Sequence, residues 1–311
     1  MTVAFVFPGQ GSQVVGMGRS LAESDPEAAG LFAEADRVLG YPLTRVMWDG
    51  PEEELKKTIH TQPALLTVSV ALHRRLAGRV TPAWVAGHSL GEYSALVAAG
   101  ALTFADALRL VRARAEAMES ALPGGAGGMV AVLGLDSAEI QAACEAAAPA
   151  GRVEIANYNC PGQVVISGET AAVEAAGEEC RRRGASRVVP LAVSGPFHST
   201  LMQPAAAALA TALEGVALKD AAIPVVANFT AAPEKTAAEI KANLVNQITG
   251  AVRWEESMRF LIGQGVRTFV EVGPGKVLAG LLRRIDRQAA VLPTEDGEGC
   301  QKVLDFLGEG A

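Results

Sequence analysis

Val3–Phe7 is an unbroken apolar run of strand length that stops at Pro8-Gly9-Gln10-Gly11-Ser12, so a buried strand is predicted to enter a tight loop. Apolar residues then recur at helical spacing around 28–39 and 64–76. Ala83-Trp84-Val85-Ala86 reads as a second buried strand, cut off by Gly87-His88-Ser89-Leu90-Gly91, and helices are predicted over 92–99 and 104–119. Strands alternating with helices predict an α/β fold whose parallel sheet is covered on both faces. Four glycines within 123–128 interrupt the rhythm and suit a flexible junction better than a regular element. The next stretch differs: strands at 129–135, 153–159, 163–167 and 187–193 alternate with helices at 138–148 and 171–183. Its order, β-α-β-β-α-β, is that of a ferredoxin-like unit. It is read as a small domain over 126–195, inserted into a discontinuous larger domain of 1–125 and 196–311. The first rhythm then resumes, with strands at 223–228 and 268–272 and helices near 201–213, 239–248, 255–262 and 277–286.

Half of the 311 residues are hydrophobic and 20% are charged, a balance that excludes a disordered chain. No apolar run approaches the ~18–20 residues of a membrane span, and the N-terminus lacks the basic region and cleavage site of a signal peptide. No membrane partner is therefore expected. Cys144, Cys160, Cys180 and Cys300 lie far apart, without a C-x-x-C pair or histidines at zinc spacing, so reduced thiols in a cytoplasmic protein without a metal are expected. With 27 basic against 34 acidic residues the net charge is −7, which disfavours nucleic acid as the main ligand. A monomer is expected.

Gly87-His88-Ser89-Leu90-Gly91 fits G-x-S-x-G, the nucleophile elbow, and its strand-before, helix-after setting is the one that motif requires. A sharp strand-to-helix reversal needs backbone room, which glycine provides, and it lifts the serine hydroxyl out of the sheet. The competing reading is a glycine-rich turn with a capping serine. A serine nucleophile needs a base. His60 and His73 adjoin lysines or arginines and are expected to face water, and the side chain of His88 points away from its neighbour at such a turn. His198, in a loop after a strand, is the best candidate. No acid between Ser89 and His198 follows a strand, so a backbone carbonyl or an amide side chain is expected to orient the histidine. Asp106 and Asp136 read as helix-start residues.

Gly9-Gln10-Gly11 fails the dinucleotide fingerprint because residue 14 is Val, and Gly273-Pro274-Gly275-Lys276 is no P-loop because residue 270 is Val; no cofactor is expected. The 9–11 loop is better used as an oxyanion hole facing Ser89. In the helix over 104–119, Arg109 and Arg112 have acidic neighbours at pairing distance, Asp106 and Glu116, whereas Arg114 sits among Leu110, Val111, Ala117 and Met118. A guanidinium in an apolar face requires an anion, either a distant protein carboxylate or a ligand carboxylate gripped by its fork. Both remain open. The clusters Arg181-Arg182-Arg183 and Arg283-Arg284 are either solvated helix faces or docking patches for an acidic partner.

Together Pro8-Gly9-Gln10-Gly11-Ser12, Thr61-Gln62-Pro63-Ala64, Gly87-His88-Ser89-Leu90-Gly91-Glu92 and Gly195-Pro196-Phe197-His198-Ser199 resemble the malonyl-CoA:acyl carrier protein transacylase family. Asn157-Tyr158-Asn159-Cys160-Pro161-Gly162-Gln163, Gln247 and Glu271-Val272-Gly273-Pro274-Gly275-Lys276 extend the resemblance along nearly the whole chain. It implies a hydrolase-like core with the inserted ferredoxin-like unit, and an acyltransferase of fatty acid biosynthesis with malonyl-CoA and holo acyl carrier protein as partners. By the same resemblance Ser89 is acylated, His198 is its base, and Gln247 orients His198 by its backbone carbonyl. Gln10 and Leu90 supply oxyanion N–H groups and Arg114 pairs with the malonyl carboxylate. Leu90 and Phe197 resemble the malonyl-selective pattern. Asn228-Phe229-Thr230 is less typical of the family, so the resemblance carries no role over to Asn228. A serine hydrolase would share the elbow without needing Arg114, and a non-catalytic carrier-binding module would need neither Ser89 nor His198.

Overall fold

The computed structural model describes residues 2–122 and 126–308. Among these, the strands in chain order are β1 (Val3–Phe7), β2 (Trp84–Gly87), β3 (Gly127–Leu133), β4 (Val153–Cys160), β5 (Gln163–Glu169), β6 (Arg187–Pro190), β7 (Val225–Val226), β8 (Pro233–Glu234), β9 (Thr268–Glu271) and β10 (Ala290–Pro293). They form a six-stranded sheet, order β10-β9-β1-β2-β7-β8, and a four-stranded sheet, order β4-β5-β3-β6. The larger sheet is parallel from β10 to β7 and antiparallel only at the β7–β8 hairpin; the smaller is antiparallel throughout.

β1 lies in the middle of the larger sheet and all five of its residues are buried. Successive side chains of a strand point to opposite faces. Val3, Phe5 and Phe7 accordingly join one apolar cluster, which includes residues of the helices Thr58–Leu76 and Phe104–Ser120, while Ala4 and Val6 join a second with Trp254, Met258 and Leu282. Burial on both faces is what a continuous apolar run predicts for a parallel strand. The smaller sheet has its own cluster, built on Val132, Ile140, Ile166 and Cys180.

Several boundaries move for physical reasons. The helix predicted from 64 starts at Thr58, upstream of Pro63. Residues 123–125 of the glycine-rich junction lie outside the described residues, but Gly127 and Gly128 are not junction: they open β3 and pair with Glu169 and Gly168. β6 ends at Pro190 rather than 193: Leu191 N–H still donates to Met129 O (2.9 Å), but Val193 N–H turns back to Leu191 O (3.0 Å) and leaves the ladder. The strand expected over 223–228 shortens to two residues because the chain turns back into β8 and Asn228 is diverted elsewhere. The segment 152–169 is tied to the larger sheet's side: Tyr158 N–H donates to Val252 O (2.9 Å), Val252 N–H to Ala156 O (2.8 Å), and Arg284 Nη1 to Gln163 Oε1 (3.1 Å).

Candidate active site

The loops leaving the C-terminal ends of β1 and β2 meet where open parallel sheets place their ligand sites. After β2 the chain reverses at Ser89, whose φ of 51° is left-handed, and enters the helix Gly91–Ala98. That reversal demands glycine on both sides: a Cβ at Gly87 would lie 1.9 Å from the carbonyl carbon of Gly91, and one at Gly91 would lie 2.1 Å from Phe7 O. Asn228 braces the turn. Its Oδ1 accepts from Ser89 N–H (2.6 Å) and its Nδ2 donates to Gly87 O (2.6 Å). Two hydrogen bonds thus hold a non-glycine residue in a conformation that costs about 1–3 kcal/mol.

His198, itself left-handed at φ 58° and buried, places Nε2 2.8 Å from Ser89 Oγ. Its Nδ1 lies 2.8 Å from the backbone carbonyl of Gln247. A carbonyl only accepts, so Nδ1 carries the proton and Nε2 presents a lone pair to the hydroxyl, the tautomer a general base needs. Burial first, and then the charge of Arg114, push the imidazole down to about 3 from 6.5. It therefore rests neutral.

Arg114 is 1% exposed, and its guanidinium reaches the same hydroxyl: Nη2 donates to Ser89 Oγ (3.0 Å) and to Gln247 Oε1 (2.9 Å). It lies over the Tyr93 ring at 5.7 Å, and its Nε has no partner. Burial pulls its pKa below the ordinary arginine value, opposed by Tyr93 and Glu92. The other two arginines of the helix pair locally, Arg109 with Asp106 (2.8 Å) and Arg112 with Glu116 (2.7 Å). Both described hydrogen bonds of Arg114 instead end on neutral oxygens, and among the described residues no carboxylate is paired with this cation directly.

Gln247 is buried at the centre. Beyond its carbonyl on His198 and its Oε1 on Arg114, its Nε2 donates to Ser89 O (3.0 Å) and to Glu92 Oε2 (3.0 Å). Glu92, fully buried, also accepts from Asn228 N–H (2.9 Å). Burial raises its pKa, against those hydrogen bonds and the charge of Arg114. Sequence reasoning missed Glu92 and Asn228 as parts of the site.

The cleft over Ser89 is lined by Gln10, Gln62, Leu90, Met118, Phe197 and His198 among others. Leu90 caps the helix Gly91–Ala98, so its N–H belongs to the first amides, which lack an intrahelical acceptor. All seven singled-out residues, Ser89, His198, Gln247, Arg114, Gln10, Leu90 and Phe197, thus gather at one place.

The other histidines differ from expectation. His73 packs edge-on against Phe5 and Phe7, with burial pushing it down to about 4, and His60 bonds Glu54 O (2.9 Å), so neither simply faces water. His88 does point away, to Asn159 Oδ1 (2.8 Å). Arg181, Arg182 and Arg183 pair with Glu178, Glu179 and Glu139, as on a solvated helix face. Arg284 is engaged with Pro161 O and Gln163, whereas Arg283 is exposed.

Known proteins resemble this chain along nearly its whole length. The family model described as acyl transferase domain matches residues 4–303. The malonyl CoA-acyl carrier protein transacylase of Bacillus subtilis (strain 168) is 47% identical over 309 residues, 99% of this chain and 98% of that protein. The enzyme of the same name from Salmonella typhimurium is 52% identical over 284 residues, covering 91% and 92%. A malonyl-transacylase solved in complex with a type II PKS acyl-carrier protein superposes with a TM-score of 0.96 at 46% identity, covering 98% of this chain and 100% of that one.

Proposed function

The chain belongs to the malonyl CoA-acyl carrier protein transacylase family and is an acyltransferase, and from that premise we propose that it moves malonyl from malonyl-CoA to the phosphopantetheine thiol of holo acyl carrier protein, for fatty acid biosynthesis, through a malonyl ester on Ser89. One observation carries the reading: a single hydroxyl lies 2.8 Å from a neutral imidazole and 3.0 Å from a buried guanidinium.

His198 Nε2 takes the hydroxyl proton as Ser89 Oγ attacks the thioester carbonyl. The backbone N–H groups of Gln10 and Leu90 receive the developing oxyanion. Collapse expels CoA sulfur, which leaves as thiol with the proton from His198. The carrier's thiol then attacks the ester, His198 again acting as base, so the two substrates bind in turn. The Gln247 carbonyl holds the imidazole in register at each step. Arg114 grips the distal carboxylate of the diacid by its fork, supported by its burial and by the unpartnered Nε, and Leu90 and Phe197 shape the wall beside it.

The strand order β4-β5-β3-β6, in sequence order 2-3-1-4, supports reading 126–195 as a ferredoxin-like insertion into a hydrolase-like domain of 1–125 and 196–311. Buried free thiols at Cys144, Cys160, Cys180 and Cys300 support a cytoplasmic enzyme.

The direct test is mass analysis of the peptide bearing Ser89 after incubation with malonyl-CoA. The mass of one malonyl group on that serine is expected, and CoA release with no modified serine would sink the proposal. The state of His198 sets the pH profile. With the imidazole held at about 3, acylation is expected to stay level down to about pH 5 instead of falling through 6.5; a descending limb centred near 6.5 would show a solvated base. Below 6.5 the unfolded chain binds a proton that the folded site refuses. Stability from this group is therefore complete above 6.5 and declines as pH falls toward about 3. Carrier docking is tested at exposed Arg283. Arg283→Glu is expected to raise KM for the carrier roughly three- to tenfold and leave KM for malonyl-CoA unchanged, and equal KM values for the carrier would remove that patch.

A further inference from the structure

One ionisable group of the site has no part in the chemistry above. Glu92 is fully buried, and only one of its oxygens is engaged: Oε2 accepts from Gln247 Nε2 (3.0 Å) and Asn228 N–H (2.9 Å), while Oε1 has no partner. Gln247 turns its Oε1 to Arg114 Nη2 (2.9 Å). One side-chain amide therefore spans a carboxylate and a guanidinium, its oxygen toward the cation and its N–H toward the anion. Each charge is stabilised through that dipole in a low-dielectric interior. The other ionisable groups facing Glu92 are Tyr93 on its own helix and Glu234 on β8, with His198 across Gln247.

We propose that Glu92 is the counter-anion of Arg114 in the donor-free site and takes up a proton from solvent when a malonyl carboxylate occupies that guanidinium. The inference rests on the reading of Arg114 as the diacid-binding group. Without donor, the buried site holds one cation and one anion. A bound malonyl group adds a second anion, and an uncompensated buried charge is relieved by neutralising the group best placed to accept a proton. Glu92 is so placed, because the proton goes to Oε1, the unengaged oxygen, and Oε2 keeps both of its donors. Base alignment through Gln247 thus survives the change. The balance is simple: carboxylate plus one solvent proton gives carboxylic acid, no electrons move, and exchange of thioester for ester releases CoA as thiol.

The test is a single round of acylation in weak buffer at about pH 7, read with a pH indicator after mass analysis has confirmed the ester. With malonyl-CoA, uptake of about half a proton or more per ester is expected; with acetyl-CoA, which brings no second carboxylate, an ester without uptake. Glu92→Gln keeps an acceptor oxygen for Gln247 and Asn228 and is expected to acylate without uptake, whereas Glu234→Gln retains it. No uptake in the unmodified enzyme, or uptake persisting in E92Q, overturns the proposal. Should E92Q fail to fold, infrared difference spectra of the enzyme carrying ¹³C-labelled glutamate decide: a protonated-carboxyl band appears on malonylation and not on acetylation, and its absence is equally fatal. If no ester forms on Ser89, the reading of the nucleophile fails first, and is seen to fail separately.

Discussion

Replacement of Ser89 by alanine abolishes transfer from malonyl-CoA, with a loss in kcat of about 10⁴-fold or more, while the protein stays folded. Ser89 supplies the only oxygen that both His198 Nε2 and Arg114 Nη2 are described as touching, so nothing nearby can take over the ester. The main-chain braces of the turn, from Asn228 and Gln247, go to the backbone of residue 89 and survive the substitution. Thermal unfolding within a few degrees of the parent is thus expected, beside an absent burst of CoA release. His198→Ala is expected to cost a similar factor, and the double variant little more, because nucleophile and base act as one unit. A Ser89→Ala protein that still accumulates a malonyl ester would place the nucleophile elsewhere.

The second large effect is a change of donor preference. Arg114→Ala is expected to lower kcat/KM for malonyl-CoA by about 10²–10³-fold, the scale of leaving one member of a buried charge pair alone. Transfer from acetyl-CoA is expected to rise in the same variant. An acetyl donor offers the native guanidinium no carboxylate and sets a methyl group against a desolvated cation whose counter-charge acts only through Gln247; removing the cation removes that mismatch. Arg114→Lys restores charge without the two-pronged geometry and is expected to fall between. Steady-state rates with both donors decide: an equal loss with malonyl-CoA and acetyl-CoA would mean that Arg114 serves only the turn and Gln247, and that selectivity resides elsewhere.

Much of this was legible in the residues, and what was not had a physical reason. The long elements announce themselves because burial imposes a period. β1 is apolar throughout, and the helices Thr58–Leu76 and Phe104–Ser120 repeat at helical spacing. β7 and β8 are two residues each, too short for any period, and β10 is a run of only four that Pro293 closes. Gly127 and Gly128 misled because composition alone cannot distinguish a hinge from a strand that other strands flank. Within the site, Ser89 has a motif and Arg114 an apolar setting. The group that replaces the third triad member is a main-chain carbonyl, which no side chain advertises. Glu92 did leave a signal, a carboxylate among Gly91, Tyr93, Ala95 and Leu96 in a short helix buried over most of its length. The sequence neighbours of His73 are a poor guide to its setting. Consecutive helical residues point about 100° apart, so Arg74 reaches solvent while His73 lies against Phe5 and Phe7.

Gln247 joins base, cation and elbow through one residue: carbonyl to His198, amide oxygen to Arg114, amide nitrogen to Ser89 and Glu92. A side-chain change at position 247 leaves the carbonyl on His198 in place but alters the contacts to Arg114 and to the elbow together, so cation and elbow have no separate dial there. Engineering toward bulkier acyl donors has its freedom at the cleft wall, where Phe197, Leu191 and Met118 line the space over Ser89 outside the hydrogen-bonded centre. The size of the acyl group accepted is thereby adjustable at the wall, whereas its charge is read at the same centre that holds nucleophile and base.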